Sequence, residues 1–162
     1  VMADNDLLQK LVDSDYTLVH IKTDNTERIL DIFQRFNHET GCAVYNWHND
    51  CGLHRVGFEH ILIPRTKSDL DLVTYIRTAR HFGIYFLSDF QDALNRENIQ
   101  NQISGIHQNK DGVRRLLVVI GNDIVIPDQL KHLSCTLTHG QKQCRPIPTS
   151  ENIHNFAAAA GY

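Results

Sequence analysis

The sequence predicts an α/β fold, a three-layer sandwich in which helices cover both faces of a mostly parallel five-stranded sheet. Segments with a strand pattern alternate with segments with a helix pattern along the chain, as they do in βαβ units. Two runs, at residues 84–87 and 116–120, are almost continuously apolar, which is typical of central strands buried on both faces. Because crossovers between parallel strands are right-handed, few topologies remain for such a chain.

Five segments are predicted as the strands of this sheet. They are Tyr16–Lys22, Cys42–Trp47, Gly83–Leu87, Arg115–Ile120 and Ser134–Thr138. The stretch Asn49–Lys67 has little periodicity, so we expect an irregular segment there, with a short strand at His60–Ile63.

The helices are predicted from apolar residues at helical spacing and from capping residues. Asp24 is predicted to cap the helix after the first strand, with Glu27 completing a capping box and Gly41 ending the helix. Ser68 is predicted to cap the helix that precedes the third strand. The remaining helices are expected over Asp6–Asp13, Gln91–Leu94, Asn98–His107, Asp128–Leu133 and Ser150–Ala160.

These elements form one predicted domain over residues 2–148, which ends in a linker with two prolines, Gln141–Pro148. Residues 149–162 are predicted as a terminal helix that looks like the cut-short start of a further segment. No internal repeat is found in the sequence.

Composition excludes several classes of protein. The 162 residues carry 19 acidic and 16 basic side chains, a net charge of −3, and no basic run, so a nucleic-acid partner is not indicated. The longest apolar runs are far below the roughly 20 residues of a membrane helix, so no membrane partner is expected. The first residues lack the pattern of a signal peptide, and four cysteines are too few for a disulfide scaffold. We therefore expect a cytoplasmic protein with free thiols.

The turn after the first predicted strand lacks the chemistry of a phosphate-binding loop. Such a loop reads G-x-x-x-x-G-K-[ST], because glycines let backbone N–H groups approach the phosphates and the lysine reaches the outer ones. Here the turn Thr23–Arg28 has no glycine and no lysine, and it carries two carboxylates, which repel phosphate. Since the motif occurs nowhere else in the chain, conventional ATP hydrolysis is not expected, and no catalytic residue and no cofactor are assigned.

Polar side chains at the predicted strand ends are nevertheless candidates for weak nucleotide binding, because ligands of open α/β sheets lie beyond the carboxyl ends of the strands. The candidates are Asp24 and Arg28 after the first strand, Asp89 after the third and Asn122 after the fourth. Asp89 follows an apolar strand, the position at which phosphate-loop enzymes hold Mg²⁺; the structural alternative is a turn or a helix cap. For Asn122 the alternative is a plain turn, Gly-Asn-Asp.

A second set of candidates has the ligand types of a zinc site. Cys42, His48, Cys51 and His54 lie within thirteen residues, but their spacing does not match the usual paired knuckles. The alternative is one buried cysteine beside loop histidines. We assign no metal on this pattern.

Several segments, taken in order, resemble one family. They are Tyr16–Thr23 followed by Glu27–Leu30, Val44–Trp47 with Gly52-Leu53, Ile84–Phe90, Ile126–Leu130 and Pro146–Thr149. The sequence is similar to the amino-terminal region of AAA-type ATPases encoded by a conserved hypothetical chloroplast reading frame, which has cyanobacterial and other bacterial relatives. In that family a separate AAA module carries the phosphate loop and hydrolyses ATP.

The resemblance implies a degenerate P-loop NTPase-like fold and a non-catalytic regulatory or assembly domain that binds a protein partner or self-associates. A weak nucleotide-binding sensor is the first alternative. A metal-dependent hydrolase or nuclease that works through Asp89 and nearby carboxylates is the second, and it requires several acids to converge on one site. Convergence of Asp24, Glu27 and Asp89 in an open cleft would favour chemistry, whereas capping or pairing would favour a scaffold.

Overall fold

The structure is a computed structural model that describes residues 2–138. Its helices are α1 (Met2–Asp13), α2 (Thr26–Thr40), α3 (Asp69–Thr78), α4 (Gln91–Leu94) and α5 (Glu97–Gln108), with a 3₁₀ helix over Asp128–Leu133. Its strands are β1 (Leu18–Lys22), β2 (Val44–His48), β3 (Gly52–Arg55), β4 (Leu62–Ile63), β5 (Gly83–Leu87), β6 (Arg115–Ile120) and β7 (Ser134–Thr138). The linker and helix expected beyond Thr138 lie outside the described residues.

The strands form one sheet in the order β4-β3-β2-β5-β6-β1-β7. The five predicted strands are its parallel part, β2-β5-β6-β1-β7. The prediction of five strands in total was wrong, because β3 and β4 add antiparallel to β2 and make a seven-stranded mixed sheet. Sequence reasoning missed β3 because Leu53 is its one large apolar residue. The architecture is broadly consistent with a P-loop-like α/β fold.

Two apolar cores confirm the three layers. On one face α1 and α2 pack on the sheet, where Phe33 of α2 contacts Phe86 of β5 with ring centroids 5.0 Å apart. On the other face lie α3, α4, α5 and the 3₁₀ helix, and there Trp47 meets Phe90 edge-on at 5.7 Å. Strand β5 is buried along its whole length, as its apolar sequence predicts.

The start of α2 differs by one residue from the prediction. Asn25, not Asp24, is the cap, and its side-chain oxygen accepts a hydrogen bond from the backbone N–H of Arg28 at 3.1 Å. Glu27 therefore does not complete a capping box. Gly41 ends the helix as predicted, in the left-handed conformation at φ 79°, which glycine adopts without a Cβ penalty. The predicted cap Ser68 is confirmed on α3, where its hydroxyl accepts from the N–H of Asp71.

Candidate functional site

At the carboxyl edge of the sheet, the connections that follow β1 and β6 leave to opposite faces. After β1 the chain runs to α2 on the first face, whereas after β6 it runs to Ile126 and Leu130 in the core of the second face. Because β1 and β6 are neighbours, this is the topological switch point at which open α/β sheets bind ligands.

Hydrogen bonds join the two loops across this position. The backbone N–H of Gly121 donates to the carbonyl of Ile21 at 3.1 Å, and His20 Nε2 donates to the carbonyl of Gly121 at 2.7 Å. The side-chain amide of Asn122 donates to the carboxylate of Asp24. Two of the predicted nucleotide-binding residues thus bind each other, and the Asp24 carboxylate lies where a phosphate loop presents N–H groups.

Asp89 lies in a turn beside this position. Its φ of 54° is in the left-handed region, which aspartate tolerates better than most residues, and its side chain is exposed. It does not cap α4. The residue at the N-cap of that helix is Phe90, and no side chain makes a capping hydrogen bond there. Asp89 and Asn122 line a cleft of about 390 Å³, together with Asp92 and Asp123. The cleft is acidic, which disfavours a phosphate group.

Arg28 and Glu27 are not part of the hydrogen-bonded group at the switch point. Arg28 and Glu27 are exposed in the first turn of α2. Within residues 2–138, no three histidine, cysteine or carboxylate side chains are grouped so as to hold a metal ion. Asp24, Glu27 and Asp89 therefore do not form the converged acid site that metal-dependent hydrolysis requires.

A family model for the N-terminal domain of SpoVK-like AAA ATPases matches residues 4–139. The chain belongs to this family. No curated protein and no solved structure matches the sequence. No helix in the described part of the SpoVK-like domain is long and apolar enough to cross a membrane.

The four possible zinc ligands of the SpoVK-like domain do not form a group that could hold a metal ion. Cys42 precedes the strand and is half-buried, whereas His48 ends it, so the length of β2, about 17 Å, separates them. His48 and His54 lie on neighbouring strands with near-parallel rings and centroids 6.4 Å apart. Cys51 is exposed in the turn between them.

A cavity that sequence reasoning missed lies on the second face of the SpoVK-like domain, over β1 and β7. Its volume is about 520 Å³, within the range of small-molecule sites. Among the described residues its lining contains Lys22, Lys131 and His132 but no carboxylate. His20 is 2% exposed in its wall, and burial lowers the pKa of this imidazole. The lining residues come from β1, β7 and two loops, so no local sequence pattern predicts the cavity.

Proposed function

We propose that this SpoVK-like domain is a non-catalytic regulatory or assembly domain of an AAA-type ATPase and acts through protein–protein contacts. The observation that carries the proposal is the bond between Asp24 and Asn122 at the switch point of the sheet. A turn that lacks glycine and lysine and holds a paired carboxylate does not match the phosphate loop that cradles a triphosphate. The domain therefore supplies shape and contact surface, while hydrolysis belongs to an AAA module.

The affiliation within the family and the compartment are also proposals. The order of the motifs from Tyr16 to Thr149 supports a relationship to the chloroplast reading-frame ATPases and their bacterial relatives. The low cysteine content supports the cytoplasm.

A weak nucleotide sensor is the second candidate, and the cavity over β1 and β7 is the observation that favours it. Lys22, Lys131 and His132 are suited to an anionic ligand, and no carboxylate among the described lining residues opposes them. Against it, Lys131 already forms an ion pair with Asp128 at 2.9 Å. A metal-dependent hydrolase receives no such support from the described residues.

Calorimetric titration of the pure chain with ATP and ADP, with and without Mg²⁺, tests the proposal. We expect no binding heat and no thermal stabilisation at millimolar nucleotide. A dissociation constant below about 100 μM, equivalent to about 5.5 kcal/mol, would overturn the non-catalytic scaffold in favour of the sensor.

Two variants locate any binding that is found. Lys22→Ala weakens a nucleotide held over β1 and β7, whereas Asp89→Asn alters one held in the acidic cleft. Asp31→Asn, an exposed position on α2, is the matched control and leaves binding unchanged.

A further inference from the structure

Most of the exposed large apolar side chains in the described part of the chain lie in one segment, which runs from the turn after β3 to the first residue of β4. Of the five large apolar side chains that are exposed in the described part of the chain, three lie within positions 58–62. Phe58, Ile61 and Leu62 are 50%, 55% and 48% exposed, and we refer to these three residues as the loop patch. Contiguous exposed apolar groups cost solubility and mark contact sites in soluble proteins.

The backbone of this loop is held in place before any partner binds. The N–H of Phe58 donates to the carbonyl of Arg55 at 2.9 Å, and the N–H of Ile61 donates to the carbonyl of Phe58 at 3.0 Å. The guanidinium of Arg55 lies 5.8 Å from the centre of the Phe58 ring. Two successive turns therefore present the loop patch in a fixed arrangement, which lowers the entropy lost on binding.

Charge decides which kind of partner fits. From Gly52 to Lys67 the chain has three basic residues, Arg55, Arg65 and Lys67, against one acidic residue, Glu59, a net charge of +2 in a chain whose total is −3. None of the ion pairs found in residues 2–138 involves these basic groups. Glu59 is engaged locally, because its carboxylate accepts from the N–H of Gly57 at 2.9 Å. Like charge opposes pairing of two such loops and favours an acidic partner.

We propose that the loop patch, together with the exposed basic residues Arg65 and Lys67 that follow it in the chain, is a docking site for an acidic amphipathic segment of a partner protein. Apolar side chains of that segment cover Phe58, Ile61 and Leu62, and its carboxylates pair with Arg65 and Lys67. The proposal rests on the proposed function, since it names the surface and the partner chemistry of a domain that acts by protein contact.

Selection from a random dodecamer peptide library against the whole chain tests this docking site without presupposing a sequence. We expect enriched peptides with at least two large apolar residues and net negative charge, whose affinity falls as salt rises. In titrations with an enriched peptide, Ile61→Ser and Lys67→Glu each weaken binding by about tenfold or more.

Matched variants elsewhere on the surface are the controls. Val125→Ser changes another exposed apolar residue, which is 76% exposed, and Lys10→Glu reverses another exposed lysine. We expect both control variants to bind the peptide with unchanged affinity. The melting temperatures of the control variants and of the patch variants are also expected to match that of the parent, which shows that each variant is folded.

Four results overturn the docking site. They are no enrichment, enrichment of basic or neutral peptides, binding of phosphatidylserine vesicles in place of peptide, and self-association that Ile61→Ser abolishes. Peptide binding that survives the patch variants removes this site but leaves a protein-contact domain intact. Nucleotide binding, measured separately, overturns the proposed function instead.

Discussion

The side-chain amide of Asn122 donates a hydrogen bond to the carboxylate of Asp24, a residue 98 positions earlier in the chain. The bond connects the loop after β6 to the turn after β1, at the switch point of the sheet. The bond is a contact within the protein at the position where open α/β sheets bind ligands.

A double-mutant cycle on this pair measures its contribution to stability. Asp24→Ala, Asn122→Ala and the double variant are compared with the parent by urea unfolding followed by the fluorescence of Trp47, the single tryptophan. Both groups are exposed, so we expect a coupling free energy of about 0.5–1 kcal/mol. Strict additivity of the two substitutions would contradict the bond in solution.

Stability at acid pH depends on Asp111. Hydrogen bonds from the buried guanidinium of Arg115 lower the pKa of this carboxyl from 3.8 to about 2. Because the folded-state pKa is depressed, the stabilisation is present above the unfolded-state pKa and is lost as the pH falls towards about 2. Asp111→Asn is therefore less stable than the parent at neutral pH, and the difference shrinks below about pH 4. Urea midpoints across this range give the measurement, and Asp31→Asn is the exposed control. A difference that is constant with pH would exclude this linkage.

Thiol reactivity follows the burial of the three cysteines in the described region. Cys51 is exposed, Cys42 is half-buried and Cys135 is buried. Burial raises the pKa of the Cys135 thiol to about 12, so its reactive thiolate is scarce at neutral pH. In a pulse of iodoacetamide with peptide mapping, we expect Cys51 to react first and Cys135 to react only in denaturant. Cys51→Ser removes the fastest adduct, and rapid native labelling of Cys135 would contradict the packing of β7.

Thr66 holds the antiparallel end of the sheet together. Its buried hydroxyl accepts from the N–H of Leu53 on β3 and donates to the carbonyl of Ile63 on β4, at 2.9 and 2.7 Å. Thr66→Val removes the partner of the buried Leu53 N–H and of the half-buried Ile63 carbonyl, with an expected loss of about 1–3 kcal/mol in the free energy of unfolding. Thr74→Val, an exposed threonine on α3, is the control and changes stability by less than about 0.5 kcal/mol. An equal effect of both substitutions would show that Thr66 has no special role.

The elements that were predicted correctly have sequence patterns that lie within a few neighbouring residues. The strand Arg115–Ile120 has its predicted bounds. Its apolar residues are nearly continuous, which is the pattern of a strand buried on both faces of a sheet. Ser68 was recognised as a cap because the cap interaction spans three residues. By contrast, the hydrogen bond from Asn122 to Asp24 forms because β1 and β6 are neighbours in the sheet, and no local sequence pattern predicts that pairing.

The antiparallel strands illustrate the same limit. Strand β3 has a single large apolar residue, Leu53, and β4 is two residues long, so neither carries an alternating pattern long enough to predict a strand. Both strands also bond to the hydroxyl of Thr66, a residue that is 1% exposed and belongs to neither strand. The cavity over β1 and β7 likewise depends on residues that the fold brings together.

The antiparallel addition to the sheet also has a consequence for solubility. Without β3, the apolar strand Val44–His48 would be a free edge, with unpaired backbone groups open to strands of other molecules. Strand β3 occupies those groups, and the outermost strand, Leu62–Ile63, is two residues long. So short an edge offers too few backbone groups to template cross-β polymerisation. This protects this end of the sheet from aggregation, even though it carries the loop patch.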